Sequence, residues 1–236
     1  MLEITGSDIA ALNDEDLRSL VGRLCEAEMR SRGLPTSAVT WGGNQNAADG
    51  GIDVRVRIDD SANALRDGFV PRANTGFQVK KSDFTPGLIG PEMRPSGQLR
   101  ASISGLIDER GAYIIASSGS DTSDSAWTDR LNAMQLAVAD KAGHADLYLD
   151  FYDRNRIATW TRSHPGLVVW VRRQIGRAIS GWQPYSSWAV SPDGVEDEYL
   201  LDDKARLHAG ITDEKGMLVL LLDGPQAARY YASTLV

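Results

Sequence analysis

From Ile52 onward the chain alternates: Ile52, Val54, Val56 and Ile58 are apolar, while Asp53, Arg55 and Arg57 between them are charged. A period of two predicts a half-buried β-strand. Residues 76–81, GFQVKK, repeat the pattern, with Phe77 and Val79 on one side and Gln78 and Lys80 on the other. Elsewhere the period is helical. NDEDLRSLVGRLCEAEMRSRG carries an apolar stripe of Leu17, Leu20, Val21, Leu24 and Cys25, whose next position is Glu28. Asn13 can cap this helix, acids fill its first turn, and Gly33 and Pro35 end it. Residues 96–111 and 123–143 predict two more helices, 112–118 a buried strand and 146–151 another. Residues 151–180 predict one or two helices, with Pro165 suited to a first turn. This order predicts an α/β fold around a mixed central sheet flanked by helices, with a helical C-terminal part. MLVLLLDG (217–224) reads as one more strand beyond a linker that begins near Ser191.

The length of 236 residues allows a sizeable core. The expected division is a core over 1–150, an Arg/Trp-rich helical extension over 151–190, and an acidic linker with a terminal strand over 191–236. No apolar run reaches membrane-spanning length, and no basic start followed by an apolar stretch marks a signal peptide. Cys25 is the only cysteine, which excludes an internal disulfide and fits a reducing cytoplasm. Its place on the helical stripe predicts a buried, inert thiol.

A net charge of −7 argues against a generally sticky nucleic-acid binder, but the charge is segregated. Residues 151–180 hold Arg154, Arg156, Arg162, Arg172, Arg173 and Arg177 against the single acid Asp153, and 191–204 are strongly acidic. The arginines are interleaved with Tyr152, Trp160 and Trp170. Two readings stand: arginines holding phosphates beside aromatic platforms, or arginines forming a solvated face or a surface for another domain. For the tryptophans the core is the expected place.

Aspartate is a poor strand former, and Gly50 and Gly51 directly before Asp53 weaken the strand's start. Such a placement asks for a chemical reason. If the strands of Asp53 and Gln78 are neighbours, Asp53 offers a hard oxygen ligand for Mg²⁺ and Gln78 a neutral one. Lys80 supplies a compact charge to hold a water or steady a phosphate oxyanion. Glu28, or alternatively Glu26, would complete the metal shell from the helix. The main-chain carbonyl of Val79 is a further candidate ligand, and Lys81 and Arg100 are either phosphate contacts or ordinary exposed charges. His144, His164 and His208 lack zinc-like spacing, and Ser117 and Ser118 lack a nucleophile-elbow pattern.

DGGIDV followed by FQVKK resembles the Mrr-type branch of the PD-(D/E)xK, restriction-endonuclease-like nucleases, in which Gln replaces the usual second acid. The resemblance implies that Asp53, Gln78 and Lys80 are the catalytic trio. More widely, TWGGNQNAADGGIDVRV, FQVKKSDF, EMRPSGQLRASISGL, GAYIIASSGSDTSD and DFYDRNRIATWTRSHPGLVVWVR resemble the N-terminal nuclease effector of bacterial antiviral STAND ATPases. That likeness implies Mg²⁺-dependent cleavage of double-stranded DNA with little sequence preference, with Mn²⁺ as a substitute metal, in the cytoplasm, as antiviral defence. It also implies self-association through an ATPase beyond Val236, since no phosphate loop of the Gly-x-x-x-x-Gly-Lys type occurs here. One departure matters: Mrr-type nucleases carry a glutamate near the start of the first helix, where this chain has Arg18. Glu28 is assigned by helical phase instead. A catalytically silent DNA-binding or oligomerisation module, and a nuclease acting on RNA, are the alternatives.

Overall fold

A computed structural model of the chain describes residues 3–42, 51–58 and 68–178. All of them lie within one compact unit, Met1–Ala178. The helix expected from the stripe of Leu17 to Cys25 is α2 (Asp14–Ser31), and the Asn13 side chain accepts the Asp16 N–H at 2.8 Å to begin it. The two alternating segments are β2 (Val54–Arg57) and β3 (Asn74–Lys80). The uninterrupted apolar run forms β4 (Ala112–Ser117), buried along its whole length, and β5 (Tyr148–Tyr152) follows. Strands run in the order β1-β2-β3-β4-β5, with β1 (Val39–Trp41) on an edge. The β1–β2 and β2–β3 pairs are antiparallel, and the β3–β4 and β4–β5 pairs parallel. The expected α/β class, a mixed sheet flanked by helices, is what the chain forms.

Strand alternation sorts the core into two layers. Phe77, Val79, Ile114, Ala116 and Tyr152 pack against α1 (Gly6–Ala11), α2, α6 (Arg154–Arg162) and α7 (Pro165–Gln174). Tyr113, Ile115 and Phe151 pack against α3 (Pro86–Met93), α4 (Ala101–Asp108) and α5 (Asp124–Val138). Gln78 and Lys80 belong to this second side by the same alternation.

The segment after residue 150 departs from expectation, because it is no appendage. Trp160 is 1% exposed and stacks on Phe69, with centroids 5.1 Å apart and rings 11° from parallel. Trp170 joins the same cluster, so α6 and α7 complete the layer that α1 and α2 begin. Truncating a tryptophan buried this deeply costs about 3–5 kcal/mol. The boundary expected at 150 is therefore absent, and the domain runs on to Ala178. The linker and the strand expected over 191–236 lie outside the described residues.

Three short elements were not expected from periodicity. Helix α1 spans six residues and is held by a capping box, in which Thr5 and Asp8 bond each other's backbone. Strand β1 spans three and sits where Gly22 of α2 leaves room for the Trp41 ring. Helix α3 contains Gly87, Gly90 and Pro91, all poor helix residues. Cys25 is fully buried, and burial pushes its thiol well above the ordinary range, as an inert core cysteine requires. Among the described residues no helix is long and apolar enough to cross a membrane.

Candidate active site

Asp53 stands where β2 enters the sheet. Its N–H donates to the Phe77 carbonyl at 2.8 Å. The next bond in the ladder is carried by its side chain, because the Val79 N–H donates to Oδ2 at 2.7 Å. Within a strand the N–H and C=O of one residue point to the same side, so the Val79 carbonyl also faces Asp53. The carboxylate takes no other hydrogen bond among the described residues. Burial raises its carboxyl above the ordinary value, against the pull of the Val79 N–H, Arg18 and Lys80. A partly dehydrated carboxylate with an oxygen still unmatched is suited to a cation.

Gln78 is 2% exposed, and both ends of its amide are committed. Nε2 donates to Glu92 Oε1 at 2.5 Å, and Oε1 accepts the Tyr113 hydroxyl. This orientation has a physical cause. Burial works to raise the Glu92 carboxyl, but the Gln78 bond and the charges of Lys80 and Arg100 outweigh it and hold it below its ordinary range. An ionised carboxylate only accepts, so the amide nitrogen must face it. Burial pushes the Tyr113 phenol far up, keeping it a donor to the amide oxygen. Gln78 therefore orients its neighbours here, and the metal-ligand role expected of its oxygen does not fit this geometry.

Lys80 lies 3.3 Å from Glu92 Oε1 and 5.6 Å from the Phe84 ring centre. Arg100, the residue that precedes α4, donates from Nη2 to Glu92 Oε1 at 2.9 Å and from Nε to the Glu92 carbonyl at 2.7 Å. Gly51 has φ +82°, and a Cβ there would lie 2.7 Å from the Arg100 side chain. This left-handed backbone at Gly51 makes room for a guanidinium. Gly50 lies outside the described residues.

The acid expected from the helix is not in this group. The start of α2 is what approaches Asp53: Arg18, paired with Asp14, lowers the Asp53 carboxyl and Asp14 raises it. Glu28 is ten residues past Arg18, about 15 Å along the helix at 1.5 Å per residue. It accepts from Arg32 at 2.5 Å and from Trp160 Nε1 at 3.3 Å, and His164 Nε2 lies 3.6 Å away. Glu26 accepts the Trp41 indole N–H at 2.7 Å. Helical phase put Glu28 on the correct face but at the wrong height.

The remaining expected phosphate contacts are mostly engaged within the chain. Lys81 donates to the carbonyls of Ala10, at 2.8 Å, and Leu12, which closes the C-terminal end of α1. Arg154 forks onto Asp121, with Nε at 2.5 Å from Oδ1. Arg156 pairs with Asp150 at 2.9 Å and lies over the Tyr152 ring. Arg162 and Arg172 donate to the carbonyls of Ile4 and Glu3, and Arg177 pairs with Asp8. Arg173 is exposed on α7. His164 precedes Pro165 at the start of α7, as expected.

Among the described residues Lys80 thus lies beside Glu92, and its charge also acts on the Asp53 carboxyl. Among the described residues no three acids, histidines or cysteines form a ready cage. Mg²⁺ tolerates this, since it commonly binds through one or two carboxylates and keeps several waters. Asp53 and the Val79 carbonyl fit such an ion; zinc, which wants nitrogen or sulfur donors, would find none here.

Periodicity missed Glu92, the partner of Arg100, and Tyr113. Glu92 is the only charged residue in 84–93, and Tyr113 carries a hydroxyl inside a strand buried on both faces. A lone charge and a buried hydroxyl both require partners, and that requirement was the available signal. No family model, curated protein or solved structure matches the chain.

Proposed function

We propose that the chain is a Mg²⁺-dependent endonuclease that hydrolyses phosphodiester bonds of double-stranded DNA with little sequence preference. The observation that carries this reading is the placement of Asp53 against the Val79 main chain, close enough to Lys80 for the ammonium to pull on its carboxyl. The likeness of DGGIDV and FQVKK to Mrr-type nucleases supports it. When bound, the metal polarises the phosphate and acidifies a water.

The chain's own residues do the rest. Asp53 and the Val79 carbonyl would hold the ion. Lys80 meets the negative charge that develops on the phosphoryl oxygens; in the free protein its ammonium lies 3.3 Å from Glu92 Oε1. Arg18 brings a second cation near Asp53 from α2, where the Mrr-type nucleases that the motifs resemble carry an acid. The wider likeness supports a place as a cytoplasmic effector in antiviral defence, activated by self-association.

A second reading, a silent DNA-binding module of the same architecture, draws on that same Arg18 exchange. Plasmid nicking separates the two. The unsubstituted chain should nick with Mg²⁺ and stop with EDTA, and Lys80→Ala should lose at least about a hundredfold in rate. A folded Lys80→Ala chain that cuts normally overturns the assignment, and a chain that binds duplex in EDTA but never nicks is the silent module.

A further inference from the structure

One oxygen of Glu92 has three donors around it. Oε1 lies 2.5 Å from Gln78 Nε2, 2.9 Å from Arg100 Nη2 and 3.3 Å from Lys80 Nζ. Two donors come from β3 and one from the residue preceding α4, so two parts of the fold converge on a single acceptor. Oε2 accepts none of them. Two cations and an amide around one anionic oxygen are the environment in which proteins hold a non-bridging phosphate oxygen. The cluster is reachable, with the side chains of Lys80, Arg100 and Glu92 30%, 25% and 23% exposed.

We infer that Gln78, Lys80 and Arg100 form a seat for a phosphodiester oxygen, and that Glu92 is its resident occupant, displaced when substrate phosphate arrives. The inference rests on the nuclease reading and adds to it a binding subsite and an internal competitor. Like charges held together in a half-dry site repel unless an anion lies between them. Glu92 is that anion in the free protein, so the seat keeps its shape while empty of substrate. The cost is affinity, because every phosphate must displace a carboxylate that already makes three contacts.

A purely structural Glu92 makes the opposite prediction: its loss would loosen Lys80 and Arg100 and weaken DNA binding. Anisotropy of a short fluorescein-labelled duplex, titrated in EDTA with the 236-residue chain and its Glu92→Gln variant, decides the matter. Loss of one charge-assisted competitor should tighten binding about three- to tenfold. Equal or weaker binding by a variant with a normal melting curve overturns the seat. If Glu92→Gln does not fold, acylation of Lys80 in the unsubstituted chain, read by peptide mass spectrometry, takes its place. Inorganic phosphate should slow labelling of Lys80 and leave Lys141 unchanged; an insensitive Lys80 overturns the seat. Failure here is distinct from failure of the nuclease reading. A chain that nicks plasmid but gains no affinity in Glu92→Gln refutes the seat alone, and one that gains affinity but never nicks refutes only the nuclease.

Discussion

Asp53 Oδ2 accepts the Val79 N–H at 2.7 Å, so one side chain both closes the β2–β3 ladder and faces the candidate metal position. Asparagine at 53 would keep an acceptor for that N–H and lose the charge. Burial raises the Asp53 carboxyl in the folded state, so between its ordinary and its raised value the native chain binds more protons than the unfolded one. Stability therefore falls as pH rises through that window, and the cost persists at neutral pH. Asp53→Asn should raise the melting temperature by roughly 2–4 °C for each kcal/mol recovered, while nicking falls at least about a hundredfold. A variant that melts lower at pH 7 would show that the charge is already compensated.

Metal should act on the same balance from the other side. A ligand that binds only the folded chain stabilises it by about 2.7 kcal/mol at a hundredfold excess over its dissociation constant. Mg²⁺ should therefore raise the melting temperature of the unsubstituted chain and leave Asp53→Asn unmoved. The shift should shrink as pH falls through the raised Asp53 value, where protons compete for the carboxylate. Equal shifts in both proteins would remove Asp53 from the metal site.

Periodicity made most of this architecture legible before any coordinates. The stripe of α2, the alternation of β2 and β3 and the apolar run of β4 each bury one face or both, and burial leaves a repeating mark in sequence. Residues that act through distant partners leave no such mark. Glu92 becomes intelligible only when α3 is laid beside β3, and Tyr113 only when Gln78 is opposite it. Glu28 illustrates the converse, since helical phase fixes the face it occupies while its height along α2 depends on where the sheet crosses that helix. Lys81 sits beside Lys80 in sequence yet, one residue past the end of β3, it turns to the end of α1.

Glu28 is predicted to support the fold and not the chemistry. Burial works to raise its carboxyl, but His164, Arg32 and Trp160 outweigh it and lower it below an ordinary value of about 4.5. A carboxylate lowered in this way contributes stability that is present above its unfolded value and lost as pH falls through the folded one. Glu28→Gln should cost about 1–3 kcal/mol at pH 7, typical of weakening a charged hydrogen-bond network. It should also flatten the acid limb of the melting-temperature profile below about pH 4.5. Folded protein should still nick plasmid at close to the original rate. Loss of nicking with an unchanged melting curve would return Glu28 to the active site.

The arginines of α6 and α7 bear on where duplex DNA lies. Arg154 and Arg156 spend their charge on Asp121 and Asp150, so a phosphate would have to break an existing pair to reach them. Each true phosphate contact contributes roughly −0.9 to the slope of log affinity against log salt. Replacing both with alanine should therefore leave that slope unchanged, while loss of Arg156 also lowers stability by leaving the buried Asp150 carboxylate without its cation. Arg100→Ala should behave differently and reduce the slope by about one unit, because its guanidinium lies beside Lys80 and shares Glu92 with it. Titrations at several salt concentrations in EDTA measure both slopes without interference from cutting. A slope reduced by about two units in the Arg154/Arg156 double variant would put the duplex on α6, and the path of the DNA would then run along the helical layer instead of the end of β3.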